Sequence, residues 1–168
     1  MAKAKARGTK AASPLPASDS QPAKKTRINA VKLQIPHLPE KCGNLLVCGQ
    51  NDVGQLGLNP DDVMEKTRPA AVPDVTNIVD VKAGGMHSLA LTTNGEIWSF
   101  GCNDEGALGR NTEEEGSEMK PTKIDLPGKA VRISAGDSHS ACLLEDGRAF
   151  AWGSFRVRIQ IISNIYGV

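Results

Sequence analysis

The sequence contains an internal repeat with a period of 52 residues. Residues 45–57 align with residues 97–109 without a gap, and residues 83–88 align with residues 135–140 at the same spacing. A third copy opens at Ala149. Self-similarity at such a period is typical of solenoids, propellers and arrays. The fold is therefore expected to consist of copies of one unit and not of a single irregular core.

Each unit is predicted to contain short β-strands joined by tight turns. The predicted strands cover residues 78–81, 88–92 and 97–100 in one unit and residues 130–134, 141–144 and 149–152 in the next. The pairs Asn94-Gly95 and Asp146-Gly147 predict two-residue hairpins with positive φ at both positions. Short strands, glycine turns and a period near 50 residues together predict an all-β fold of β-propeller blades.

Aromatic residues recur at equivalent positions of the predicted strands. Trp98 aligns with Phe150, and Phe100 aligns with Trp152. Because aromatic side chains on apolar strands bury a large area, we expect all four in the core.

Charge is distributed unevenly along the chain, although the net charge is only +1. Residues 1–36 contain eight Lys and Arg residues with Asp19 as the only acidic residue, and no aromatic residue. This composition predicts a disordered basic arm, which would bind phosphate backbones without sequence preference. The cluster at residues 24–27 also fits a nuclear-import signal, with a solvated linker as the alternative. The basic residues assigned to these roles are Lys3, Lys5, Arg7, Lys10, Lys24, Lys25 and Arg27.

Several classes of protein are excluded by what the sequence lacks. No apolar run approaches the ~20 residues needed to cross a bilayer, and no secretory signal begins the chain, so we expect no membrane association. The four cysteines show no zinc spacing and are predicted to be free thiols in a reducing compartment. No phosphate-binding GxxxxGK[ST] motif is present, so the chain is not itself a GTPase. Asp137, Ser138 and His139 are adjacent, and neighbours on a strand face opposite ways, so they form no hydrolytic triad. We expect neither a metal nor a cofactor.

The repeated motifs resemble those of the regulator of chromosome condensation family. The pattern Gly-x-Asn-Asp-x-Gly-x-Leu-Gly occupies residues 101–109, and Ala-Gly-x-x-His-Ser occupies residues 135–140. The resemblance covers about residues 45–156 and implies a seven-bladed β-propeller, of which about two to two and a half blades lie in this chain. The implied organisation is a disordered basic arm over residues 1–36, repeats over residues 37–156 and a divergent tail over residues 157–168.

The resemblance also implies a function. Members close to this sequence are chromatin-bound guanine nucleotide exchange factors for the small GTPase Ran in the nucleus, and they need no cofactor and are not enzymes with chemistry of their own. One face of the propeller would bind Ran, while the basic arm and the other face would meet nucleosomal histones and DNA. Two alternatives stay open: a non-catalytic chromatin- or DNA-binding fragment that uses only the arm, and a repeat-based interaction scaffold.

Motif position selects the candidate site residues. By resemblance, Asp52 and Asp137 are expected to contact the GTPase through charge pairing. Asp52 has an alternative role as a turn carboxylate that caps backbone amides, which the equivalent position of Asp104 supports. His87 and His139 recur in the repeat and are expected to be hydrogen-bonded structural residues, with a rim contact as the alternative. Asp104 is likewise expected to be either a structural residue or a rim contact.

The third copy of the repeat breaks after Arg156. The glycines expected 52 residues after Gly106 and Gly109 are replaced by Arg158 and Ile161. We therefore expect an aberrant end over residues 157–168, with a divergent final strand as the alternative. A partial ring would leave strand edges unpaired and would lack the GTPase contacts that the family places in later repeats.

Overall fold

The structure is a computed structural model that describes residues 34–155. Most of the basic arm predicted to be disordered over residues 1–36, with the basic residues Lys3 to Arg27, lies outside the described residues, as does the predicted divergent tail over residues 157–168. The described residues contain nine β-strands and no helix, and all of the strand pairs are antiparallel. The strands are β1 (Leu46–Gln50), β2 (Glu65–Ala71), β3 (Ile78–Ala83), β4 (His87–Thr92), β5 (Ile97–Gly101), β6 (Thr122–Lys123), β7 (Ala130–Ala135), β8 (His139–Leu144) and β9 (Ala149–Gly153). The predicted all-β class is confirmed.

The strands form three sheets that follow the sequence repeat. Their orders are β1-β2, β3-β4-β5-β6 and β7-β8-β9. Strands β7, β8 and β9 begin 52 residues after β3, β4 and β5, respectively. The four-stranded sheet is a complete propeller blade, and β7-β8-β9 repeats its first three strands. Six of the nine strands were predicted in place, whereas β1, β2 and β6 were not predicted.

The predicted two-residue hairpins are wrong in their turn geometry. Of the Asn94-Gly95 pair only Gly95 has a positive φ (77°), and Gly147 in the equivalent turn has φ 89°. The Thr92 amide donates to the Glu96 carbonyl (3.0 Å), and the Gly95 amide donates to the Thr92 carbonyl (3.0 Å). This is a three-residue loop, a turn followed by one left-handed glycine, and it needs positive φ at a single position.

The core lies between the sheets, because both faces of the blade are covered. Leu89 and Leu91 of β4 pack with Ile133 and Leu144 of the β7-β8-β9 sheet, whereas Ala90 between them packs on the β1-β2 side. Successive residues of a strand face opposite ways, so β4 contributes to two cores. Each fully buried leucine contributes ~1.5–3 kcal/mol. The blade is thus a layer held on both sides.

The aromatic prediction is confirmed only for Phe100, whose side chain is buried in the core. Trp98, Phe150 and Trp152 are half-buried and pack against the edges of the two cores.

The four cysteines are free, as predicted. Burial raises the pKa of Cys142 to about 11, so its thiol stays protonated at neutral pH. Residues 34–155 contain no helix of the length and apolar character that a membrane-spanning segment needs.

Candidate functional site

Loops from all three sheets meet at one face of the molecule, which we call the loop face. It consists of the connections β1-β2, β3-β4, β5-β6 and β7-β8, that is, residues 51–64, 84–86, 102–121 and 136–138. Backbone hydrogen bonds join these loops: the Gly85 amide donates to the Asp137 carbonyl (3.1 Å), and the Cys102 amide donates to the Met86 carbonyl (2.9 Å). The hairpin turns at residues 93–96 and 145–148 lie at the opposite ends of the strands, on what we call the hairpin face.

The three candidate aspartates line adjoining clefts of the loop face. Asp104 and Asp137 share a cleft of 290 Å³ with His87 in its lining. Asp52 and Asp104 share a second cleft of 340 Å³, in which Glu118 is also present. All three aspartates are exposed. The structure therefore brings together Asp52 and Asp137, which motif position selected, and places Asp104 between them.

The side chain of Asp52 forms a hydrogen bond with a neighbouring side chain of its own loop. Its Oδ1 accepts a hydrogen bond from Gln55 Nε2 at 2.7 Å. The capping of the loop, which was the alternative role for Asp52, is carried out by the neighbouring Asn51. The carboxylate of Asp52 is thus left at the surface.

Asn51 organises its loop from a fully buried position. Its Nδ2 donates to the carbonyls of Leu58 (2.9 Å) and Val63 (2.8 Å), and its Oδ1 accepts from the Leu56 amide (2.9 Å). Asn103 makes equivalent bonds one repeat later. The sequence reasoning missed both asparagines, although their identity in the two copies was a visible signal.

A buried chain of hydrogen bonds, which we call the relay, joins the β3-β4-β5-β6 sheet to the β7-β8-β9 sheet beneath the Asp104–Asp137 cleft. His87 Nε2 lies 2.9 Å from Ser140 Oγ, and that hydroxyl donates to the Ala107 carbonyl at 2.8 Å. Because the Ser140 hydroxyl donates its proton to the Ala107 carbonyl, the imidazole of His87 must be the donor in its hydrogen bond with Ser140. Burial and the nearby His139 lower the pKa of His87, and Asp137 opposes them. His87 is therefore neutral at physiological pH.

The equivalent histidine, His139, has different surroundings. It is half-buried, and its ring lies 4.6 Å from the ring of Phe155. The two histidines thus share a repeat position but not an environment.

Arg110 stabilises the part of the loop face that the β5-β6 connection forms. Its Nη2 donates to the carbonyls of Ser99, Ser117, Glu118 and Lys120 at 3.0–3.3 Å. Burial lowers the pKa of Arg110 and Glu118 raises it, but a guanidinium stays charged throughout the physiological range. The repeat gave no signal for this residue, because the equivalent position is Leu58.

Negative charge dominates the loop face. Its four loops contain ten carboxylates and only two cations, Arg110 and Lys120. The acidic residues are Asp52, Asp61, Asp62, Asp104, Glu105, Glu113, Glu114, Glu115, Glu118 and Asp137. Among the described residues, no group of three or more His, Cys, Asp or Glu is arranged to hold a metal ion. A surface of one sign attracts and orients partners of the opposite sign.

These features define a β-propeller that is built from repeats and has an acidic loop face. Residues 43–91 and 94–143 match the model of the regulator of chromosome condensation (RCC1) repeat. The chain belongs to the regulator of chromosome condensation repeat family, and the resemblance seen in the sequence is confirmed.

The chain is similar to much longer proteins. It is 62% identical over 141 residues to Regulator of chromosome condensation of Drosophila melanogaster, covering 83% of this chain and 25% of that protein. It is 57% identical over 114 residues to the Homo sapiens protein of the same name, covering 68% and 27%. The yeast protein named Guanine nucleotide exchange factor SRM1 is 32% identical over 139 residues, covering 66% and 29%. This chain therefore spans about a quarter of the length of its curated relatives.

Solved structures show the same fold. The crystal structure of Prp20p from Saccharomyces cerevisiae, described with its binding to Gsp1p and histones, matches with a TM-score of 0.65 and 36% identity. The match covers 73% of this chain and 31% of Prp20p. The predicted partial β-propeller is confirmed.

Proposed function

We propose that this chain supplies part of a guanine nucleotide exchange factor for the small GTPase Ran, and that its loop face contacts the GTPase. The observation that carries the proposal is the gathering of Asp52, Asp104 and Asp137 on an acidic face of a propeller whose relatives include a named exchange factor. The binding of Prp20p to Gsp1p supports the choice of partner.

Exchange needs no bond-making by the exchanger. The loop face has to bind the nucleotide-free GTPase more tightly than the loaded one, since a ligand shifts an equilibrium only by its differential affinity. By resemblance, binding would disturb the phosphate loop and magnesium site of Ran. Carboxylates of the loop face would pair with lysines and arginines of the GTPase, which speeds encounter as well as fixing orientation.

The loops are prepared for this task before the partner arrives. Asn51 and Asn103 hold their loops from within, and the His87–Ser140 hydrogen bond joins the blade to the following sheet. Binding therefore requires little ordering of the chain, which lowers its entropic cost.

The test is an exchange assay with Ran loaded with a fluorescent guanine nucleotide. We expect micromolar chain to accelerate nucleotide release, and the double variant Asp52→Asn/Asp137→Asn to reduce the acceleration. Asp125→Asn is the matched control, because Asp125 is equally exposed but lies in the β6-β7 connection, away from the loop face. An absence of acceleration, together with an absence of binding to nucleotide-free Ran, would contradict the proposal.

A second candidate function is a non-catalytic chromatin or DNA tether in the nucleus. It is favoured by the eight basic residues of residues 1–36 and by the histone binding described for Prp20p. The logarithm of the DNA affinity of the chain should then fall linearly with the logarithm of the salt concentration, because counterions are released from DNA phosphates. Deletion of residues 1–33 should abolish this binding, and retention of the affinity after deletion would eliminate the tether.

A further inference from the structure

The loop face contains a further cleft that is larger than the two clefts lined by the aspartates. A groove of 860 Å³ lies between residues 57–64 of the β1-β2 loop and residues 115–121 of the β5-β6 loop. We call it the Met64 groove. Both of its walls are connections between paired strands. The groove shares Asp52, Glu115, Glu118 and Met119 with the Asp52–Asp104 cleft, and it shares no lining residue with the Asp104–Asp137 cleft.

The floor of the groove is apolar and open to solvent. Leu58, Met64 and Met119 line it, and Met64 is 62% exposed. Large apolar side chains left exposed within a concave surface mark sites of interaction. Methionine is suited to such sites, because its unbranched side chain adapts to different partners.

The rim of the groove is acidic. Asp61, Glu115 and Glu118 line it together with the single cation Lys120. Asp61 and Glu115 are exposed, so their charges face an incoming ligand. A segment that carries positive charge on either side of an apolar residue complements both the rim and the floor.

The walls of the groove are held in place before anything binds. On one side, hydrogen bonds from Arg110 to three carbonyls hold residues 117–120, and a fourth bond ties Arg110 to the Ser99 carbonyl of β5. On the other side, Asn51 binds the carbonyls of Leu58 and Val63. A Cβ added to Gly54 would lie 2.7 Å from the Met119 Cα, so the two walls are packed as closely as glycine allows. A preformed groove binds a peptide at a lower cost in chain ordering.

We propose that the Met64 groove binds a basic peptide segment of a partner protein, with one apolar side chain seated on Met64 and Met119 and flanking lysines or arginines facing the carboxylates. The segment binds independently of the Asp104–Asp137 cleft. The groove is therefore a second binding site on the loop face, separate from the Asp104–Asp137 cleft, and it shares Asp52 with the GTPase contact proposed above.

The test uses the full chain and a fluorescein-labelled decapeptide of Lys and Arg with one central Leu, followed by fluorescence anisotropy. Met64→Ser should weaken binding about three- to tenfold through the lost apolar contact. Asp61→Asn/Glu115→Gln should weaken it about two- to tenfold and reduce its salt dependence. A peptide with Gly in place of Leu should bind the unaltered chain as weakly as the Leu peptide binds Met64→Ser.

Matched controls lie outside the groove. Val81→Ser removes an apolar side chain that is 49% exposed, and Glu145→Gln removes an exposed carboxylate of the hairpin face. Both should leave the affinity unchanged, and circular dichroism should show that every variant keeps its β-structure.

Three results would overturn the proposal. Affinity unchanged in Met64→Ser, or lost in Asp104→Asn/Asp137→Asn with the groove intact, would place the peptide elsewhere. Self-association of the chain that Met64→Ser abolishes would identify a second copy as the occupant.

Discussion

Gly49, the penultimate residue of β1, and Gly101, the last residue of β5, occupy the same position of the repeat but differ in their surroundings. Gly49 has φ +116° and nothing within 4 Å of an added Cβ. Gly101 has φ +109°, and an added Cβ would lie 2.6 Å from the Met86 carbonyl oxygen and 2.9 Å from the His87 Cα. The repeat sets the backbone angle at both sites, whereas the strands packed alongside decide whether a side chain fits.

The same lesson holds for other equivalent pairs. Val81 is 49% exposed and its counterpart Ile133 is buried, and His87 is buried while His139 is only half-buried. In each pair the buried residue faces another sheet of the described chain. Burial in a propeller is thus a property of the junction between neighbouring sheets, not of the repeat alone.

Replacement of the two glycines by alanine should give the largest difference in the free energy of unfolding between equivalent positions. Gly101→Ala should lower the free energy of unfolding by about 3 kcal/mol or more, because left-handed strain adds to a clash with fixed backbone. Gly49→Ala should lose only the strain, about 1–2 kcal/mol. Urea unfolding of both variants measures the difference, and equal losses would show that the junction around Gly101 is not packed as described.

The equivalent serines Ser88 and Ser140 should show a smaller difference in their contributions to the free energy of unfolding. Ser140→Ala leaves the buried His87 Nε2 without its acceptor and should cost about 1–3 kcal/mol, although Trp152 Nε1 still donates to the Ala107 carbonyl at 2.8 Å. Ser88→Ala removes only the bond from Ser88 Oγ to the Gln55 carbonyl and should cost about 0.5–1.5 kcal/mol. Urea unfolding decides between them, and a reversed order would contradict the relay.

The relay also predicts a dependence of stability on pH. The pKa of His87 is lowered on folding, so the unfolded chain takes up a proton more readily. Stability from this residue is therefore complete above pH ~6.5 and is lost as the pH falls from there toward the lowered value, at no more than about 1.4 kcal/mol per pH unit.

His87→Gln should flatten this part of the profile, as measured by urea unfolding between pH 7.5 and 5.5. The matched control is His37→Gln, which alters an exposed histidine and should leave the slope intact. An unchanged slope in His87→Gln would assign the dependence to other groups.

The smallest effects are expected at the exposed aspartates. Asp52 in the β1-β2 loop and Asp104 in the β5-β6 loop are equivalent, and each should contribute about 0.2–1 kcal/mol to GTPase binding, as exposed ion pairs do. Asp52→Asn and Asp104→Asn should each weaken the affinity up to about fivefold, with a weaker response to salt. Titration of nucleotide-free Ran measures this, and tighter binding in either variant would contradict an attractive role for that carboxylate.

The repeat alone predicted most of the fold and part of the site. The 52-residue spacing of the repeat predicted the positions of six strands, because these strands carry the apolar pattern: β3, β4, β5, β7, β8 and β9. It could not place β2, whose residues are mostly exposed and include Pro69, or the two-residue β6. Their pairing depends on the preceding strand and not on their own sequence.

Candidate site residues were selected from recurrence between the copies and from motif position. Asp52 and the two histidines occupy positions that recur, whereas Asp137 stands where the preceding copy has Gly85 and was selected from its place in the family motif. Arg110 and the groove around Met64 were not found, because the equivalent positions differ between the copies and long connecting loops bring these residues together. Asn51 shows the reverse case, since its recurrence was visible but only the structure reveals the three bonds that make it essential to the loop.

Amide hydrogen exchange of the chain, with and without nucleotide-free Ran, tests the central claim most directly. We expect the partner to slow exchange in residues 51–64, 84–86, 102–121 and 136–138, and to leave the hairpin turns at residues 93–96 and 145–148 unchanged. Protection confined to the hairpin turns, with the loop face unaffected, would contradict the assignment of the acidic loop face as the surface that binds the GTPase.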